Sequence, residues 1–461
     1  MKTAWLCLVI GAGTGAAACG GSGNTNLFEP KPECKGDAVV PLMGTSPQVI
    51  STLSIGMPSD GFDLDHDGKP DNKLAAVGSL AKGAIADAFK NYEIVIPFEF
   101  FDAPAASTDN CVKFAIYLGA YVKDADGDGK KSYIAGGDCN DMDPNIFPGA
   151  TEDPTNFKDD NCDGRADEVG SASSTDTMDR DGDGVTIADG DCDDTNPAVH
   201  KGAVEICGDG LDNDCDGVAD RTVDAMGIAT ACSPFDVDHP ADIPLDPLSF
   251  VNDAPAITYK DGAITMGSNG LELNAGPDLF GVNIPVTSGI TLDLKITGAT
   301  IKADVVPVGT GFVLKNGHLG GVIDAHTADT IRGLTVTQIG LTPEDSLLDA
   351  VFANLLGPLL ALPAANAGIT AKYKGCRTPD IDVDGDGLEA FCDSNPDDDI
   401  KVVDVCIDGD GTVVTDTTDA SGATVHCTEA KTADGKFRFV DGISVELNFD
   451  TVSVAKLNPP Q

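Results

Sequence analysis

Aspartate recurs in this chain at alternate positions followed by glycine, in the form D-x-[DN]-x-[DN]-G, and six stretches read this way. The first is Asp63, Asp65, Asp67 with Gly68, and the last is Asp382, Asp384, Asp386 with Gly387. Between them lie Asp124, Asp126, Asp128; Asp159, Asn161, Asp163; Asp179, Asp181, Asp183; and Asp212, Asp214, Asp216, each with its glycine. Positions 1, 3 and 5 of such a loop bring three oxygen-bearing side chains to one centre. The glycine at 6 permits the sharp turn, a backbone carbonyl follows at 7, and position 9 adds an acid or a water. Asp71, Asp167 and Asp220 stand at position 9 of their loops, and Asp393 stands at position 12 of the last. Hard oxygen donors at this density select calcium over softer metals. No loop has a glutamate at position 12 and no pair of long helices flanks one, so these are not EF-hand pairs.

The composition agrees. Of 75 acidic residues among 461, 63 are aspartate, and only 29 lysines and arginines oppose them, for a net charge of -46. A solubilising surface has no reason to prefer the shorter acid, whereas tight loops that aim carboxylates at one point do. The charge excludes a nucleic-acid partner, because the phosphate backbone repels it. A hydrophobic share of 41% excludes general disorder.

The elements that must position these loops are strand-rich. "YEIVIPFEFF", "CVKFAIYLGAYV", "ITLDLKITGATIKADVVPV" and "FVDGISVELNFDTVSV" read as strands, rich in β-branched and aromatic residues. Helical spacing appears at "DNKLAAVGSLAKGAIADAFKN" and over 343–362. The apolar run 347–368 is broken by Asp349, Asn354, Gly357 and Pro363, so it reads as a buried core helix and not a membrane span. Residues 1–18 read as a secretory signal ending in small residues before Cys19, the pattern of a lipoprotein signal in which that cysteine carries lipid, with Ala16 where leucine is usual. Residues 19–33 form a tether, 34–123 and 235–375 two parts of a strand-rich domain, 124–232 a module of two repeats, and 376–461 a calcium loop with a C-terminal β segment. The expected fold is a mainly β (α+β) body with an inserted, irregular, disulfide- and calcium-stabilised module; three consecutive domains are the alternative.

Residues 124–168 and 179–220 are one unit used twice, aligned on Cys139 and Cys162 in the first and Cys192 and Cys215 in the second. The shared pattern runs DGDG, GDC[ND]D, P, GA-x-E, then DN-x-CDG-x-x-D. It resembles the metal-binding repeat of myxobacterial and related surface lipoproteins, which occurs also in a secreted copper-binding protein of methanotrophs. The loops individually resemble the calcium loops of dockerins and thrombospondin type-3 repeats. The remainder of the chain resembles uncharacterised lipoproteins of the same bacteria, which imply no activity. Two departures separate the repeats: Pro154 stands where the second has Cys207, and Phe147-Pro148 where it has His200-Lys201.

Twelve cysteines remain once Cys7 leaves with the signal and Cys19 carries lipid, and no C-x-x-C occurs, so disulfides are the default for an exported chain. If the two repeats fold alike, Cys139–Cys162 and Cys192–Cys215 pair and Cys207 finds Cys232 or another partner. The same logic extends to Cys406–Cys427, Cys376–Cys392 and Cys34–Cys111. Each cysteine inside a second loop then ties that loop to the acidic GDC turn.

The function expected is that of an exported, lipid-anchored, calcium-binding protein of the outer membrane or cell surface, structural or adhesive, with a surface protein or polysaccharide as partner. A copper scavenger or sensor is the alternative. It wants histidine, methionine or thiolate, and the six histidines (66, 200, 239, 318, 326, 426) are scattered and read as surface residues. No H-E-x-x-H, G-x-S-x-G or P-loop occurs in the mature chain, so no enzyme is expected beyond a hydrolase with an unrecognised carboxylate pair. Hydrophobic-ligand binding by the strand-rich domain is a further idea, weaker than a simple core helix at 343–362.

Overall fold

The computed structural model describes residues 33–460, except 36–38, 79–84, 86–88, 90–91, 93, 102–106, 121–137, 141–142, 169–173, 207–208, 218, 220, 224–228, 232, 236–239, 288–289, 332–344, 354–359, 364, 366, 371, 374 and 398–400. The signal, Cys19, the first Asp loop of repeat one, Cys207, Asp220 and Cys232 thus lie outside the described residues.

Eight antiparallel strands close into a barrel: β1 (Thr45–Ile55), β2 (Pro97–Phe100), β3 (Asp109–Ile116), β4 (Ile257–Met266), β5 (Leu271–Thr287), β6 (Ile290–Val308), β7 (Gly311–Asp324) and β8 (Gly442–Ser453). Every neighbour in space is a neighbour in order, and β8 returns to pair with β1, for example Phe449 opposite Leu53. β3 pairs directly with β4, so the acidic module between them is an excursion from one hairpin. Closure leaves the barrel without a free edge.

Period-two alternation explains the core. Val112, Phe114 and Ile116 of β3 point inward, while Ala115 and the following Tyr117 point outward, all fully buried. The lumen is filled with rings: Phe114 stacks on Tyr259 at 4.8 Å, Phe100 meets Phe312 edge-on at 4.8 Å, and Phe98 lies 6.0 Å from Phe449. A barrel of eight strands is just wide enough for side chains to fill it. The outward face of β1–β3 is covered by Ala241, Ile243, Leu245, Val454 and Leu457, where Asp242–Pro244 pairs in parallel with Lys456–Asn458.

Among the described residues, the excursion between β7 and β8 carries three short helices, α1 (Ala325–Thr330), α2 (Leu347–Phe352) and α3 (Ala367–Thr370), and a three-stranded sheet of Ala390–Cys392, Val405–Ile407 and Val413–Thr415. The helix expected over 343–362 begins only at Leu347, because Ser346 caps it: the Ser346 hydroxyl accepts from Asp349 N and the Asp349 carboxylate accepts from Ser346 N. It is a core helix, with Phe352 4.9 Å from Phe391. The helical spacing at 71–91 gives a 3-10 turn, Lys73–Val77, capped by Asn72, and beyond it Gly78, Ile85 and Phe89 are α-helical; the rest of 78–91 lies outside the described residues.

Candidate metal centre

The two repeats interlock. Each GDC turn holds its own second loop by a disulfide, Cys139–Cys162 and Cys192–Cys215. Each also accepts a backbone hydrogen bond from the other repeat's second loop: Asp159 N donates to Cys192 O, and Asp212 N donates to Cys139 O. Bridges join Lys158 with Asp193 and Asn140 with Leu211. Gly164 and Gly217, both at positive φ, face Cys215 O and Cys162 O at a spacing where a Cβ would sit 3.0 and 3.1 Å away. Cys162 and Cys215, at position 4, take the left-handed conformation with φ near +60°. That turns the sulfur out of the loop and toward its GDC partner. The acid shapes the loop and the cysteine fixes where the loop sits.

The first loop of repeat two gathers the densest cluster. Ligand oxygens of Asp181, Asp183 and Asp191 lie within 4.8 Å of one another, and those of Asp179, Asp181 and Asp194 do likewise. Asp191 and Asp194 come from the GDC turn, brought against the loop by the chain's fold-back. The second trio has an internal counter-ion: Arg180 donates to Asp194 from both its backbone N and its guanidinium, bonds Asp176 at 2.6 Å, and lies 3.7 Å over the Phe157 ring of repeat one. The first trio has none. Asp181 Oδ2, Asp183 Oδ2 and Asp191 Oδ2 are all buried without a hydrogen-bond partner. His200 Nε2 approaches Asp183 Oδ2 only to 3.8 Å. Burial first, and then the neighbouring carboxylates of Asp181, Asp183 and Asp194, push Asp191 up to about 7. Three buried carboxylate oxygens facing one point fit a hard divalent cation, which removes the repulsion and the desolvation penalty together.

The second loops differ from one another. Asp159 and Asp212, at position 1, turn both oxygens into their own loops, accepting from Asp163 N and Gly164 N, and from Asp216 N and Gly217 N. In repeat two a ligand oxygen of Asp212 still lies near Asp214 and Glu205. In repeat one the Asn161 amide donates to Glu152 and Glu168, and Asp163 pairs with Arg165 at 2.9 Å. Asp167 leaves the loop to accept from Phe157 N at 2.8 Å. Asp163 and Asp167 are thus each drawn to an internal donor, while the acids around Asn161 stay crowded: Glu168 Oε2 is buried without a hydrogen-bond partner, and burial, then Glu168, Asp159 and Asp160, push Glu152 up to about 8.

Outside the repeats, Asp63, Asp65 and Asp71 form one cluster, and Asp71 also accepts from Leu64 N. Asp67 turns to Lys69 instead. The last loop gathers Asp382 and Asp386 with Asp441, the residue before β8. Asp441 is fully buried and pushed up to about 7, mainly by burial. Asp393, expected there at position 12, is not in that cluster; it accepts from Asn395 N in the turn after the Ala390–Cys392 strand. Asp384 accepts from Asp386 N. Sequence reasoning missed Asp191, Asp194, Glu205 and Asp441 as candidate ligands. The first three lie in the repeated GDC[ND]D and GA-x-E segments, so the signal was repetition of an acid at a fixed landmark. Asp441 has no such signal.

Cys34–Cys111, Cys376–Cys392 and Cys406–Cys427 are also bonded. Three of the six histidines depart from the surface reading, and His239 lies outside the described residues. His318 bonds Glu446 at 2.7 Å, His426 lies 3.2 Å from Asp416, and His326 stacks half-buried on Phe437 at 3.7 Å. His66, at position 4 of its loop, is exposed.

Fold and site define an antiparallel β-barrel carrying a disulfide-tied metal-binding repeat module. Residues 138–168 and 191–221 each match the family model Cu-binding_MopE, described as "Putative metal-binding motif". No curated protein and no solved structure is significantly similar to the chain.

Proposed function

We propose that the chain is an exported surface lipoprotein whose repeat module and flanking Asp loops are built around calcium, with a structural or adhesive role and not a catalytic one. The observation that carries this reading is the trio Asp181, Asp183 and Asp191, with its three buried oxygens lacking hydrogen-bond partners. Oxygen-only donors on a tight turn suit calcium, and five pairs of cysteines are held as disulfides, leaving those sulfurs unfit for soft metals. Extracellular modules of this kind bind at about 10⁻⁴–10⁻³ M, which suits a permanently loaded ion. Export follows from the signal reading of residues 1–19 and from the disulfides. A surface protein or polysaccharide is the partner this role implies.

Copper is the second reading. The copper-binding name of the matched family favours it, as does His200, which stands beside Asp183 in repeat two where repeat one has Phe147. Thermal unfolding of the oxidised chain in chelator, then in millimolar calcium, magnesium or copper, separates the two. An ion present at 100 times its dissociation constant adds about 2.7 kcal/mol. Calcium alone is expected to shift the transition; a shift with copper alone overturns calcium in favour of copper.

A further inference from the structure

The barrel separates charge. Successive strands of an antiparallel barrel alternate in direction, so the β1–β2, β3–β4 and β7–β8 connections all leave from one end. Those connections, residues 56–96, 117–256 and 325–441, hold 61 of the 75 acidic residues and 20 of the 29 basic ones, a net -41 of the total -46. Every Asp cluster described above lies in them. The β2–β3, β4–β5 and β6–β7 connections, residues 101–108, 267–270 and 309–310, leave from the opposite end and contain one charged residue in sequence, Asp102.

That end presents apolar side chains at its tips, with one charged pair among them: Glu272 lies against Gly267 and bonds Lys302 at 3.2 Å. Met43 is 77% exposed and Met266 73%, and Val306 and Val308 are exposed as well. Val308 pairs with Gly311 across one tip, Met266 with Leu271 across the next, and Ser46 packs on Gly311, which sets the start of β1 beside them. Exposed apolar residues at the other end, such as Met57 and Leu248, stand among aspartates. The chain before the described fold also arrives on the quiet side. Cys34 is bonded to Cys111, third residue of β3, which starts from the short-turn end, and Glu33 reaches Lys113 at 3.3 Å. Residues 20–33 can span at most about 50 Å.

We propose that the short-turn end of the barrel rests on a lipid bilayer, with Met43, Met266, Val306 and Val308 entering the headgroup region. The cation-binding loops then face away from it. This rests on the lipoprotein reading of Cys19. Apolar tips gain by entering the interface, whereas carboxylate-dense loops are repelled by anionic lipid, so the two ends of the barrel sort themselves. An eleven-residue strand such as β1 carries the loops roughly 30 Å from the lipid surface.

Hydrogen exchange of the mature full chain on vesicles of phosphatidylethanolamine and phosphatidylglycerol, against the Cys19→Ser chain in solution, tests this. Exchange at residues 267–270 and 309–310 is expected to slow by about tenfold on vesicles, with no change at 179–184 or 382–387. Met266→Glu combined with Val308→Glu should abolish that protection while leaving the unfolding temperature of the soluble chain unchanged. Protection at the acidic loops, or no protection at the tips of a vesicle-bound chain, overturns the proposal. A chain isolated without lipid refutes the anchor separately. Coupling its Cys19 thiol to a maleimide phospholipid then still reads which end meets the bilayer.

Discussion

At the scale of the residue, the arrangement of acids separates ligands from loop-builders. Asp191 shares a cluster with Asp181 and Asp183 and has a buried oxygen without a partner, whereas Asp167 is held by Phe157 N. Asp191→Asn should weaken cation binding at this site by at least about tenfold, read by calorimetric titration. Asp167→Asn should leave that affinity intact and lower stability by about 1 kcal/mol in denaturant titration. Asn161 distinguishes the repeats in the same way. Asn161→Asp replaces the amide donor between Glu152 and Glu168 with a third carboxylate. The variant should be less stable than the parent in chelator and should regain stability with calcium more than the parent does, as thermal unfolding will show.

At the scale of the element, each small motif is completed by another. The Cys139–Cys162 bridge spans 23 residues, so replacing both cysteines by alanine should cost about 3 kcal/mol. Because Cys139 O accepts from Asp212 N, exchange protection should fall in repeat two as well as in repeat one. A loss confined to repeat one would show that the repeats fold independently. On the barrel, His318 of β7 bonds the buried Glu446 of β8, with Asp60 and Asn448 close by. The hydrogen bond to Glu446 raises His318 above its ordinary 6.5, and burial raises Glu446. A group raised in the fold contributes stability that is full at low pH and is lost as pH rises through its folded value. In saturating calcium, unfolding temperature should therefore fall as pH rises from 6 toward 8, by a modest amount because solvent reaches His318. His318→Gln should flatten that slope.

At the scale of the molecule, the barrel is a mount. β3 and β4 pair with each other, and Gly119 bridges to Leu245 just beyond them, so the chain leaves and re-enters the barrel at neighbouring points. Replacing residues 124–232 with a short glycine-serine linker should leave a folded barrel, seen as one cooperative unfolding transition with the same near-ultraviolet signal from Tyr117 and Tyr259. A chain that fails to fold without the module would make the module part of the barrel's nucleus. Phe98, Phe114 and Tyr259 pack the closed lumen.

Much was legible in the chain itself because it is written in short-range terms. Enrichment in β-branched and aromatic residues marked several strands, down to the bounds of Ile290–Val308, and fixed spacing of aspartate, glycine and cysteine marked the repeats and their disulfides. The rest depended on long-range placement. Local spacing does not say that β8 lies between β7 and β1, or that Asp441 joins a loop more than fifty residues earlier. Nor does it say that Arg180 neutralises one trio and leaves its neighbour bare. Sequence determined which loops could hold an ion; only the tertiary fold, by bringing Asp191 and Asp441 to them, burying some oxygens and giving others an internal donor, decided which carboxylates need one.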